Sequence, residues 1–300
     1  MPISRRLKLM LAAEQASFMR RSRKHWASHL ARARDFIGAA LMGADPNRPV
    51  LILGAGCGLE IPWNLAPANT FGWDAAPLSR LWTCLRHHRW PPWVFDDMTS
   101  AFNELDKVSR RSAVIPGRWT LRPSHSAAKR LAGLMPSIPV APRALREWIG
   151  EHRPGTIVCA NVLGQLKPMA QRIIERAFRP MSPWVSDPEL KDPLQEALDI
   201  WIAKLLKAIL DVLRDSNSTL CLLHDRAVIH QEADIALGGW DDSWGGQIKT
   251  SEVILEASDP LSGVDFVAEL NGLPCRRKER WIWPLAPKQI HIVEALAYGI

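Results

Sequence analysis

The sequence predicts an α/β fold: a doubly wound, mostly parallel seven-stranded sheet preceded by an N-terminal helical extension. Three observations carry this. Short apolar runs without alternation, such as residues 50–54 (VLILG), have the pattern of strands covered on both faces. They alternate with helix-periodic segments, as parallel sheets with helices on each face require. The last two runs, residues 279–287 and 289–300, flank a Pro-containing turn and read as a hairpin, so one edge strand should run antiparallel.

In chain order, residues 17–42 are expected to form a helix. Trp26, Leu30, Ala33, Ile37 and Leu41 recur at helical steps, so Trp26, Leu30 and Ile37 should pack on the domain formed by the rest of the chain. GADPNRP ends that helix and residues 50–54 form the first strand. A helix is expected to begin near Pro62, because Pro suits a first helical turn. Residues 70–77 are the second strand, ending near Asp74; residues 78–88 are helical, with His87 and His88 exposed; residues 93–99 are the third strand. Residues 100–150, rich in Pro, Ser and Arg, read as an irregular insertion. The fourth strand falls within 155–166. A strong helix comes next, with Leu194, Leu198, Trp201, Leu205, Ile209 and Val212 on one face. Residues 218–225 are the fifth strand, and a second variable stretch fills about 231–275. The expected organisation is a basic helical extension over 1–45 and one domain over 46–300.

The composition narrows the function. No apolar run approaches the roughly 20 residues of a membrane helix. The opening SRRLKLMLAAEQASFM resembles an export signal only in its arginine pair, since Glu14 and Gln15 break its apolar stretch and no small-residue cleavage site comes after it. The five cysteines (57, 84, 159, 221 and 275) are scattered without CxxC spacing, which fits reduced thiols in a cytoplasmic protein. Net charge is +7, and residues 1–35 carry nine Lys and Arg against Glu14 and Asp35. That stretch reads as a solvated helix face; its alternatives are contact with phosphate, nucleic acid or an anionic membrane surface. The 14 tryptophans are spread without repeat and read mostly as packing residues.

The glycine loop after the first strand is the expected ligand site, since such sheets bind ligands beyond the carboxyl ends of their strands. Neither register of GxGxxG works, because Leu59 and Ile61 stand where the third glycine would fall. No GK[ST] is present there either. The pattern that remains is GxGxG: Gly54, Gly56 and Gly58. With acids closing the second and third strands, this arrangement resembles the class I S-adenosylmethionine-dependent methyltransferases, whose fold is Rossmann-like. The segment HWASHLARARDFI … VLILGAGCGLEIPW … DDMT also resembles a group of bacterial proteins sharing that fold.

The resemblance implies S-adenosyl-L-methionine as cofactor. It implies that Gly54, Gly56 and Gly58 pass under the cofactor's methionine and ribose. It places Asp74 on the two ribose hydroxyls, Asp97 or its neighbour Asp96 on the adenine amino group, and Asn161 beside the methyl group. The family's usual acid two residues before the first glycine is here Ile52. Glu60, expected at a helix start, either substitutes for it or only caps the helix.

Catalytic residues are less specified. His224 and Asp225 close the fifth strand, where a His can serve as general base or as a hydrogen-bonded rim residue. The fourth strand lacks both the [ND]PP[YF] of base-amino methyltransferases and a Pro-Cys, so Cys159 reads as a buried strand residue. No metal is expected, since Arg226 comes directly after Asp225 and position 161 is Asn. GGWDDSWGG reads as a lid or an exposed turn. The expected function is a methyltransferase of unspecified acceptor. The alternatives are a protein of the same fold acting by binding a partner, and a basic nucleic-acid-binding protein.

Overall fold

A computed structural model describes residues 4–113, 125–178, 188–229, 247–249, 254–286 and 289–299. The chain begins with α1 (Arg5–His25) and α2 (Ala27–Met42), in place of the single helix expected over 17–42. The break is at Trp26, which is buried, and its indole N–H donates to the Leu285 carbonyl at 3.2 Å. Next come β1 (Val50–Leu53), β2 (Thr70–Trp73), α3 (Ser79–His87), β3 (Trp93–Val94), α4 (Phe102–Ala113), α5 (His125–Leu134), α6 (Arg143–His152), β4 (Thr156–Ala160), α7 (Leu166–Ala177) and α8 (Pro188–Arg214). The chain closes with β5 (Thr219–Ile229), β6 (Gln247–Lys249), β7 (Ile254–Glu256), α9 (Phe266–Glu269), β8 (Cys275–Ala286) and β9 (Gln289–Tyr298).

Seven strands form an open sheet in the order β3-β2-β1-β4-β5-β9-β8, and β6 and β7 pair separately. The β3–β2, β2–β1, β1–β4 and β4–β5 pairings are parallel, while β5–β9 and β9–β8 are antiparallel. The sheet is therefore mixed, not mostly parallel as expected. The reason is length: β5, β8 and β9 run to 11, 12 and 10 residues, whereas β1 to β4 have two to five. The closing hairpin thus supplies the longer ladders.

Alternation along the central strands divides the core in two, because successive strand side chains point to opposite faces. Leu51, Leu53, Ile157, Cys159, Leu220 and Leu222 join Leu105, Leu131, Leu145, Ile173 and Leu198 from the layer of α4 to α8. Val50, Ile52, Val158, Ala160, Cys221 and Leu223 meet Phe36, Ile37 and Leu41 of α2 on the other face. The six expected core positions of α8, from Leu194 to Val212, are all buried.

Two expectations fail here. No helix begins near Pro62; residues 54–69 are turns and coil. Pro62 and Pro67 stand five apart, and each removes a backbone donor and disfavours helix just before it, so the span cannot carry a helical ladder. The face left bare is covered by α2 and by the buried Trp63. Residues 100–150 are not an irregular insertion but hold α4, α5 and α6 in the crossover from β3 to β4. Helix α4 buries Leu105 beside Asp106, Ser109 and Ser112, so its inner face has little apolar signature. No helix among the described residues is long and apolar enough to cross a membrane. GGWDDSWGG and most of 231–253 lie outside the described residues.

Candidate functional site

The strand order reverses at β1, whose neighbours are β2 and β4. Outside the carboxyl ends of the strands at this switch lies a cavity of about 240 Å³. Its floor is built from four strand ends: residues 54–57 after β1, 73–76 after β2, 96–99 after β3 and 160–162 after β4. Its roof comes from far away in sequence. Helix α1 contributes Leu7, Met10, Leu11, Glu14, Gln15 and Phe18; α7 adds Leu166, Met169 and Ile173; Trp283 comes from β8.

Helix α1 is tied over the cavity at several points. The Ser4 amide donates to Asn103 Oδ1 at 3.0 Å, Arg6 donates to the Arg176 carbonyl at 2.9 Å, and Glu14 is paired with Arg172. The Gln15 amide donates to the Ser79 hydroxyl at the start of α3. Ser4 itself caps the helix, accepting from the Leu7 amide at 3.3 Å.

The loop glycines divide in role. Gly54 has φ +68°, and a Cβ there would stand 2.3 Å from Val162 Cβ, so the loops after β1 and β4 touch only because it is glycine. Gly56 has φ +51° and faces the cavity, with nothing nearer a built Cβ than 3.6 Å. Gly58 does not line the cavity, contrary to expectation. Its bare Cα is packed against Trp63 Nε1 and Thr83 Oγ1, which a Cβ would approach to 2.7 and 2.9 Å. The Gly58 carbonyl lies 3.0 Å from His87 Nε2, so His87 is half-buried rather than exposed, and burial lowers its pKa.

Asp74 fastens the loop. Its Oδ2 accepts from the Gly56 amide at 2.9 Å and its Oδ1 from the Ala76 amide at 2.7 Å. Burial pushes its pKa up, against these bonds and one from Ser79. Asp97 is engaged at both oxygens: Oδ1 takes the Thr99 amide at 2.9 Å and the Thr99 hydroxyl, and Oδ2 takes the Phe102 amide at 3.0 Å. It therefore organises the start of α4, and burial again raises its pKa. Asp96 also lines the cavity. Cys57 on the loop is buried, and burial with the nearby Asp74 charge pushes its thiol up to about 12, too high for a thiolate at neutral pH.

Glu60 lines the cavity without a helix to cap. Its carboxylate is 2.9 Å from Nε2 of the fully buried His29 on α2. Trp281 Nε1 donates to His29 Nδ1 at 3.0 Å. An indole N–H can only donate, so His29 carries its proton on Nε2 and gives it to Glu60. The His29 ring stacks on Trp283 at 4.0 Å.

Asn161 closes β4 at φ +55°, held by its amide to the Leu223 carbonyl at 3.0 Å. It is 5% exposed, lines the cavity, and its buried Oδ1 has no hydrogen-bond partner. Non-glycine residues at such angles are uncommon and concentrate at functional sites.

His224 and Asp225 do not line the cavity, so they are not placed to touch a ligand held there. Both are buried behind its wall. His224 packs on Phe266 at 4.2 Å and its Nε2 is 3.4 Å from Glu294. Asp225 Oδ2 accepts from Gln165 at 2.8 Å and lies 3.0 Å from His291 Nδ1.

Glu14, Glu60, Asp74, Asp96 and Asp97 thus line the cavity, and among the described residues no Lys, Arg or His does. No group of three or more His, Cys, Asp or Glu among the described residues is arranged to hold a metal ion. Sequence reasoning expects the N-terminal helix to cover part of the acceptor site, through Trp26, Leu30 and Ile37, but does not name the residues of α1 that form the roof. Their signal was present, since Leu7, Met10, Leu11, Glu14 and Phe18 fall at helical steps. His29 and Trp283 carried no comparable local signal. No protein-family model matches the chain, and no curated protein matches its sequence.

Proposed function

We propose that this chain is an S-adenosylmethionine-dependent methyltransferase with a Rossmann-like core. The observation that carries the reading is the charge of the cavity. In a chain of net charge +7, the switch-point cavity is lined by five acids and, among the described residues, no base. That lining repels phosphate and suits a nucleoside bearing a sulfonium and an ammonium. The glycine loop also leads into coil, so the helix N-terminus that dinucleotide sites use for pyrophosphate is missing. The order β3-β2-β1-β4-β5 follows the doubly wound pattern on both sides of the switch, up to the antiparallel hairpin.

The residues present fit such a cofactor. Gly56 offers an open backbone face, and Asp74, which already holds the Gly56 and Ala76 amides and the Ser79 hydroxyl, keeps acceptor capacity for a ribose hydroxyl. Glu60 presents an anchored carboxylate and Asn161 an unpaired amide oxygen. When bound, the cofactor supplies a methyl group on a positively charged sulfur. The chain's part is alignment and exclusion of water, which suffice for most of an in-line displacement. The roof of Leu7, Met10, Leu11 and Phe18 serves the second task.

Titration calorimetry of the full chain with S-adenosylmethionine, S-adenosylhomocysteine and a nicotinamide dinucleotide tests the reading. The first two should bind and the third should not. Absence of binding by both sulfur ligands at millimolar concentration overturns it, as does preference for the dinucleotide.

A further inference from the structure

Helix α3 is inside out. Ser79 and Thr83 are completely buried, whereas Leu78, Leu81 and Leu85 are 38%, 43% and 60% exposed. These leucines stand at i, i+3 and i+7 and so form one stripe. Trp90, 57% exposed, continues it, with the Arg80 guanidinium 4.3 Å above its ring, and Phe95 beyond the β3 edge is 40% exposed. Scattered exposed leucines need no explanation, but a stripe turned outward while hydroxyls turn inward does.

The charge around the stripe is one-sided. From Ala75 to Phe95 there is no Asp or Glu, while Arg80, Arg86 and His88 are present; His87 and Arg89 turn inward onto the Gly58, Trp63 and Ala66 carbonyls. The neighbouring end of α1 is basic too; Arg86 reaches Met19 Sδ at 3.7 Å, and Arg20 beside it is exposed. We infer that this face docks on an anionic membrane surface, with the leucines and Trp90 at the headgroup boundary and Arg20 and Arg80 on lipid phosphates. Exposed Leu and Trp on a short helix rimmed by Arg are the features such interfacial binding uses. A symmetric contact with a second copy would bring two cationic faces together. Nucleic acid would leave the leucines without a role.

Sedimentation of the full chain with vesicles tests this, using phosphatidylglycerol mixed with phosphatidylcholine against phosphatidylcholine alone. The double variant Leu81→Gln/Leu85→Gln alters exposed side chains, and its thermal melt should match that of the wild type. The wild type should partition onto the anionic vesicles, less so as salt rises. The variant should partition about tenfold less. No binding to anionic vesicles, equal binding by the variant, or a dimer in sizing experiments that the variant abolishes would each overturn the inference.

Discussion

At the scale of single residues, the acids in the cavity do two kinds of work. Asp97 commits both oxygens to the start of α4, whereas Asp74 joins the glycine loop, through the Gly56 amide, to the turn after β2, through Ala76 and Ser79. Asp74→Ala should therefore reduce S-adenosylmethionine affinity at least about tenfold, charged hydrogen bonds contributing about 1.5–3 kcal/mol each. Asp74→Asn should cost less, because one acceptor oxygen remains. Calorimetry on both variants checks this. Glu60→Gln should weaken S-adenosylmethionine but hardly change methylthioadenosine, which lacks the ammonium; equal loss for both would make Glu60 a mere loop support. Glu294 gives a test in the core. Burial opposes its charge, yet the nearby His224, and Arg280, whose Nε donates to Oε1 at 2.7 Å, hold its carboxyl below its ordinary value of 4.5. A lowered carboxylate contributes stability above that ordinary value and loses it as pH falls toward the folded one. Glu294→Gln should accordingly cost about 2 kcal/mol at neutral pH, a gap that denaturant titrations should find narrowing below pH 4.5. Asp74, Asp96, Asp97, Glu60 and Asn161 were legible in the sequence because strand ends and glycine spacing are local features. The His29–Glu60 contact was not, since it joins residues that only the packing of α2 brings together.

At the scale of elements, legibility tracks apolar periodicity. The buried runs of β1, β4 and β5 and the stripe of α8 are plain, because both faces of those strands and one face of that helix are apolar. Helix α4 is hidden because its buried face includes Asp106, Ser109 and Ser112. After β1, Pro62 looks like a start signal only when Pro67 is not weighed as a stop. Helix α1 reads as a damaged export signal because Glu14 and Gln15 interrupt its apolar run, yet both lie on its cavity side. Hydrogen bonds and ion pairs tie it to α3, α4 and α7, and of its apolar side chains Leu7 and Met10 both line the cavity and join the core cluster of α4 to α8. Removing residues 1–25 should lower the melting temperature yet leave a folded protein with an open site. The melt should stay cooperative, and S-adenosylmethionine should bind more weakly and dissociate faster, as stopped-flow measurements of release would record. Unchanged release would mean that α1 does not close over the ligand.

At the scale of the whole molecule, the covering of the sheet is uneven. Helices α4 to α8 fill one face, while the other depends on α2 where the stretch after β1 stays coil. The expected division into an extension over 1–45 and a domain over 46–300 does not coincide with a break in packing. Phe36, Ile37 and Leu41 meet Val50, Ile52, Val158 and Leu223 across that face. Helix α2 should therefore behave as core. Truncating Phe36 to Ala creates a cavity beneath the sheet and should cost about 3–5 kcal/mol, a large share of the roughly 5–15 kcal/mol that holds a protein folded. Removing residues 1–42 should go further, baring the inner residues of β1, β4 and β5 and abolishing a cooperative thermal transition. Calorimetric melts of the two variants beside the 1–25 truncation separate the roles of the two helices. A Phe36→Ala loss below about 0.5 kcal/mol, the range of surface substitutions, would show that α2 rests on the sheet without supporting it.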